Sequence, residues 1–209
     1  MGSITVKGKG YALAPPDTVT LSFGVGSKAR DYADCLDNLN ERTAALRRDI
    51  VASGVDCAEL KTTDFGVAIE RRYVKDRYVF EGYAASHSLQ IELPVDKEML
   101  NRVLGVISQG RSGAEIQIHF AVKDTEGLRQ RALAEAVRVA RLSAETLAQA
   151  AGVKLGKLQS MAHGWDEIRV SRQPAYGVVC ESAATAPVDI DPEDVSTSES
   201  VTLVYEFEE

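Results

Sequence analysis

Alternation of apolar and polar residues marks the first clear element. In TVTLSFGV, Val19, Leu21, Phe23 and Val25 are apolar, and Thr18, Thr20, Ser22 and Gly24 alternate with them. A period of two sets one face in a core and the other in water, so this is a strand. Upstream, ITVKGKGYA places Ile4, Val6, Gly8, Gly10 and Ala12 on one side, and Thr5, Lys7, Lys9 and Tyr11 on the other. Pro15-Pro16-Asp17 lies between the two segments. Proline removes a ladder donor and fixes the backbone, so a turn is expected there and the two strands read as a hairpin. Two long strands follow, one with Phe65, Val67, Ile69 and Tyr73, the other with Tyr83, Ala85, Leu89, Ile91 and Leu93. The short charged link Lys75-Asp76-Arg77 predicts a long antiparallel hairpin. AEIQIHFAV turns Ile116, Ile118, Phe120 and Val122 inward, a weaker strand is expected near 155–161, and VTLVYEF ends the chain.

Three segments follow the helical period instead. The first, from about 31 to 53, carries Tyr32, Leu36, Leu39, Leu46 and Ile50 at three- and four-residue steps. The second, about 96–109, carries Met99, Leu100, Val103 and Ile107. The third, about 124–151, carries Leu133, Ala136, Val137, Ala140, Ala144, Leu147 and Ala151 on one stripe rich in small residues. Each opens on an aspartate, Asp31, Asp96 or Asp124, whose carboxylate suits the free amides of a helix start. Each is followed by glycine, Gly54, Gly110 or Gly152, which tolerates a left-handed cap.

From 18 to 122 the order is strand, helix, strand, strand, helix, strand. That is the ferredoxin-like β-α-β-β-α-β order, with an N-terminal strand before it and a helix-strand-strand extension after it. The expected class is α+β, with one antiparallel-dominated sheet and helices on one face. Residues 1–209 read as a single domain. Segment 164–200 lacks periodicity, contains Pro174, Pro187 and Pro192, and is expected to be a flap or an assembly arm.

Composition narrows the function. At 209 residues the chain buries about 70% of its unfolded surface without a metal or disulfide staple. A net charge of −7 repels phosphate backbones, which argues against nonspecific nucleic-acid binding. Cys35, Cys57 and Cys180 are too widely spaced for a zinc motif or a disulfide framework. No apolar run reads as a leader or a membrane span, so the sequence as it stands suggests the cytoplasm. A periplasmic location follows instead if Met1-Gly2-Ser3 replaces a removed leader.

Each candidate for chemistry has a plainer reading beside it. Gly8-Lys9-Gly10 could pass for a phosphate loop, but such a loop leads into a helix, and here a strand follows. Small residues that admit a close neighbour explain the glycines better. His87 shares the apolar face of its strand and reads as a satisfied core residue; His119 lies on a polar face. His163, Asp166 and Glu167 cluster with Trp165 in a loop, where acid-base work competes with a simple surface turn. In Ser86-His87-Ser88 the serines point away from the imidazole. The pairs Arg47-Arg48 and Arg71-Arg72 are basic spots whose plain role is solvation. Four aromatics crowd one hairpin tip: Tyr78 and Phe80 on one face, Tyr83 on the other, with Tyr73 nearby. Packing on the protein's own helices or a subunit interface would each explain them.

Several ordered signals carry a family likeness. They are VKGKG, Pro16-Asp17 before an alternating strand, Lys61-Thr62-Thr63 ahead of another, Tyr73, Gly82-Tyr83, and Gly113 before IQIHF. The alanine-rich helix ending at Gly152 and the following Leu155-Gly156 complete the set. In this the chain resembles the SIMPL-domain family, a domain of unknown function widespread in bacteria. The resemblance implies a non-enzymatic protein without agreed catalytic residues. Within the family some members are periplasmic or outer-membrane-associated antigens, some are linked to oxidative-stress tolerance, and some form large homo-oligomers. The leading expectation is therefore a non-catalytic, self-assembling protein, with Tyr73, Tyr78, Phe80 and Tyr83 at its interface. No catalytic residue, cofactor or metal is assigned. The rival expectations are a peptide or small-ligand binding module using an open sheet edge or the flap near 164–190, and an enzyme built on His163, Asp166 and Glu167 with His87 or Tyr83 nearby.

Overall fold

The computed structural model of the protein describes residues 2–74, 76–164, 176–178 and 190–208. Its elements in chain order are β1 (Gly2–Ala14), β2 (Thr18–Ala29), α1 (Tyr32–Ala52), β3 (Lys61–Val74), β4 (Arg77–Pro94) and α2 (Lys97–Gln109). Then come β5 (Glu115–Ala121), α3 (Thr125–Ala151), β6 (Lys154–His163), β7 (Tyr176–Val178) and β8 (Val195–Glu208). The class is α+β, and all strand pairings are antiparallel. The chain divides into two compact units, one of 1–16, 122–173 and 192–209, the other of 17–121 and 174–191.

The first unit is a three-stranded sheet of order β1-β8-β6 with α3 packed on it. Small residues set the packing. Ala132, Ala136, Ala140 and Ala144 recur every four residues on α3 and are fully buried. Beneath them, Gly8 and Gly10 leave no room for a side chain. A Cβ on Gly8 would run into the Ala136 carbonyl oxygen and the Ala140 nitrogen. One on Gly10 would strike the Ala132 carbonyl oxygen and the Ala136 nitrogen. The VKGKG glycines therefore admit a helix backbone to the sheet. Val6, Val201 and Leu203 fill the space beside the alanines.

The second unit is a sheet of order β3-β4-β2-β5-β7. Its core holds Val19, Leu21, Phe23 and Val25 of β2, the middle strand. Against them lie Leu39, Leu46 and Ile50 of α1, with Leu100, Val103 and Ile107 of α2. Each such side chain stabilises the fold by about 1.5–3 kcal/mol when fully buried. Cys35 is also fully buried.

Helix ends follow the sequence signals in part. Asp96 accepts from the amides of Glu98 and Met99 at 2.9 and 3.1 Å, and Asp124 from that of Gly127 at 2.8 Å. Asp31 stands at the start of α1 but makes no such bond. Gly152 takes the left-handed cap at φ 71°, and Gly54 has φ 89°, whereas Gly110 at φ −74° does not.

Two expectations are corrected. Among the described residues the strands form two sheets, not one. The first two strands also form no hairpin: β1 pairs with β8 from Gly2↔Phe207 to Ala14↔Val195, while β2 pairs with β4 and β5. Pro15-Pro16-Asp17 carries the chain from one sheet to the other, a role that turn chemistry alone does not separate from a hairpin bend. Segment 164–200 is also partly regular, since β7 pairs with β5 and β8 begins at Val195. The rest of the expected flap, 165–175 and 179–189, lies outside the described residues, and so do Asp166, Glu167 and Cys180.

Candidate interaction surface

In the second unit β2 ends at Ala29, opposite Tyr83. Beyond that point β3 and β4 continue together to Val74↔Arg77 as an arm two strands wide. The β3 edge has no strand neighbour among the described residues. An isolated two-stranded ribbon is at best marginally stable in water; this one is continuous with the sheet β3-β4-β2-β5-β7.

Its register explains its surface. Glu70 faces Gly82 but Arg71 faces Phe80, so Glu81 is an unpaired bulge residue. Gly82 sits at φ 148°, and a Cβ there would meet the Ala29 carbonyl. The extra residue reverses the inside-outside parity of β4. Tyr83 and Phe80 therefore share a face, with ring centroids 5.4 Å apart at 73°. Alternation had placed them on opposite faces; the bulge overturns that. Tyr73 and Tyr78 face each other across the strands at 5.1 Å, and Tyr32 of α1 meets Tyr83 edge-on at 5.4 Å.

All four aromatics predicted from the sequence thus line one face. Phe65 and Ile69 of β3 join them, opposite His87 and Tyr83 in the register. These two were missed as surface residues, because periodicity reports the face and not whether a helix covers it. Phe65, Ile69, Tyr73, Tyr78 and Phe80 are 52, 51, 59, 73 and 48% exposed. Contiguous exposed apolar surface of this kind marks association sites. A glycine inside the strand was the available sequence signal for the bulge.

Two of the three histidines are engaged. His87 Nε2 lies 2.9 Å from Thr62 Oγ1, its Nδ1 3.4 Å from Thr43 Oγ1, and Phe65 packs edge-on at 5.5 Å. Burial, and then the charge of Arg47, hold its pKa below the usual histidine value. This is the satisfied structural histidine that the alternation suggested. His119 is exposed, on the face of β5 opposite Ile116 and Ile118. His163, in the first unit, donates from Nε2 to Glu199 Oε2 at 2.7 Å. Arg129 Nε donates to the other oxygen, also at 2.7 Å. Burial pushes the Glu199 carboxyl up, but these two bonds outweigh it and hold the pKa below the usual carboxylate range. The cluster ties the end of β6 and the first turns of α3 to β8. No sequence spacing could have revealed Glu199 as the partner, since it lies 36 residues from His163.

Cys35 and Cys57 are free thiols, and Cys35 Sγ lies 3.4 Å from the Tyr83 carbonyl. Among the described residues no cluster of His, Cys, Asp or Glu could hold a metal ion, and no helix is long and apolar enough to cross a membrane.

Comparison with known proteins agrees with the ordered motifs. The model of the SIMPL family, described as a protein of unknown function (DUF541), matches residues 4–205. The chain is also similar to the uncharacterized protein YggE of Edwardsiella ictaluri (strain 93-146). Identity is 28% over 162 residues, covering 77% of this chain and 67% of that protein. A match that runs through both units, from the Gly8-Gly10 strand to the last one, places the chain in the SIMPL family.

Proposed function

We propose that this is a non-catalytic SIMPL-family protein that assembles with copies of itself through the aromatic face of the β3–β4 arm. The carrying observation is that face: five large apolar side chains, each about half exposed or more, three of which (Tyr73, Tyr78 and Phe80) stand on a ribbon only two strands wide. A second copy suits it for two reasons. Two identical β3 edges can pair antiparallel about a two-fold axis, which satisfies backbone groups on both sides at once. Arg71, on the same face, meets a chain of net charge −7. The assembly is tested by light scattering across a dilution series. The expected mass is a multiple of 22.6 kDa that falls on dilution. The double variant Ile69→Ser/Phe80→Ser is expected to shift the mass to the monomer with an unchanged circular dichroism spectrum. A monomer at every concentration refutes the proposal.

A further inference from the structure

A second feature of the β2 strand points to a different partner. β5 pairs with β2 only as far as Gly24↔Glu115, while β2 runs on to Ala29. Past Gly24 that side of β2 lacks a strand neighbour among the described residues, and a cleft of about 690 Å³ opens there beneath α1. Its helical wall is one stripe of α1, with Asn38, Glu41, Arg42 and Arg48 at helical spacing. Lys28 of β2 and Arg111, from the link between α2 and β5, close it.

The charge of this cleft runs against the chain. Four cations, Lys28, Arg42, Arg48 and Arg111, face one carboxylate, Glu41, in a protein of net charge −7. Two of the cations are engaged. Lys28 Nζ pairs with Glu70 at 2.9 Å, and Arg42 Nη1 donates to the Gly26 carbonyl at 2.6 Å, which draws its guanidinium to the strand edge. Arg48 and Arg111 have no ion-pair or hydrogen-bond partner among the described residues. The carboxylate next in sequence, Asp49, does not line the cleft; its Oδ2 is buried against Gly110.

We propose that this cleft binds a small anion carrying at least two phosphate or carboxylate groups. Guanidinium forks match both groups in two-point geometry; Arg48, whose charge also acts on Asp49, and Arg111 have no hydrogen-bond or ion-pair partner among the described residues, and each can take one group. The volume lies in the range of small-molecule sites and exceeds what a single inorganic ion fills. The site is separate from the aromatic arm, so it stands whether or not the protein self-assembles.

The test is titration of the full chain at low salt with pyrophosphate and, in a second arm, citrate, read by calorimetry and amide chemical shifts. The expected result is saturable one-to-one binding of at least one probe, with shift changes centred on Lys28, Asn38, Arg42, Arg48 and Arg111. Arg48→Ala/Arg111→Ala is expected to weaken binding about tenfold or more. Arg138→Ala/Arg141→Ala, which removes two exposed α3 arginines, should leave it within about twofold. Failure of both probes to saturate overturns the proposal, as does equal weakening by the two double variants. Shift changes centred elsewhere overturn it even if the first double variant fails to fold. A third arm uses a duplex oligonucleotide; binding there alone, with neither small probe, assigns the charge to a polyanion and also overturns it.

Discussion

The two units pack helix on sheet by opposite means. In the first, α3 presents alanines to glycines and its backbone lies almost against β1. In the second, α1 and α2 present leucines and isoleucines to the large side chains of β2. Close approach wins contact by removing side chains, and interdigitation wins it by filling space. The first kind of interface fails when atoms are added, the second when they are taken away.

Unfolding followed by amide exchange in each unit separately can break that contrast. The largest effects should come from the matched pair Phe23→Ala and Gly10→Val. Phe23→Ala leaves a cavity and should cost the second unit about 3–5 kcal/mol. Gly10→Val forces a branched side chain into the Ala132 carbonyl and should cost the first unit about 3 kcal/mol. Equal sensitivity of both units to either change would end the distinction.

A middle-sized effect separates the units by pH. The His87 pKa is lowered in the folded second unit, so the unfolded imidazole takes a proton first. Stability there should begin to fall as pH drops below about 6.5, and His87→Gln should remove that phase. In the first unit the Glu199 pKa is lowered, so its contribution is whole above the unfolded value of about 4.3. It should be lost as pH falls further, and Glu199→Gln should flatten that slope. If both units lose protection in the same pH window, the two assignments fail.

The smallest effect sharpens the glycine argument. Gly24 also sits in a strand, but a Cβ there meets nothing closer than the Glu115 Cβ at 3.8 Å. Gly24→Ala should change stability by no more than about 0.5 kcal/mol, far less than Gly10→Ala. A large loss at Gly24 would mean that strand glycines are needed here for a reason other than space.

These contrasts mark how far the sequence could be read. Helix positions were legible because the period and the aspartate and glycine signals are local. So was the close packing at Gly8 and Gly10, since a strand has few other uses for two glycines on one face. The partner of β1 was not legible, because nothing near Gly2–Ala14 encodes a strand almost the whole chain away. Parity along β4 held from Tyr83 onward and failed on the tip side of the bulge, since a single unpaired residue, Glu81, inverts the assignment of Tyr78 and Phe80 relative to it. His163 was flagged from the sequence, but Glu199 and Arg129 become its cluster only through folding. Arg48 was read as solvation; its cleft depends on β5 beginning only at Glu115, a boundary that apolar periodicity leaves loose.

The pairing of β1 with β8 also sets an order on the ribosome. Residues 17–121 of the second unit leave the exit tunnel as one uninterrupted run. The sheet of the first unit stays open until Val195–Glu208 emerges, because β8 is its central strand. β1, with Gly8 and Gly10 exposed, must wait for β8, which is made only after α3 and β6. A nascent chain stalled at residue 190 should therefore protect the amides of β2 and leave those of β1 open to exchange.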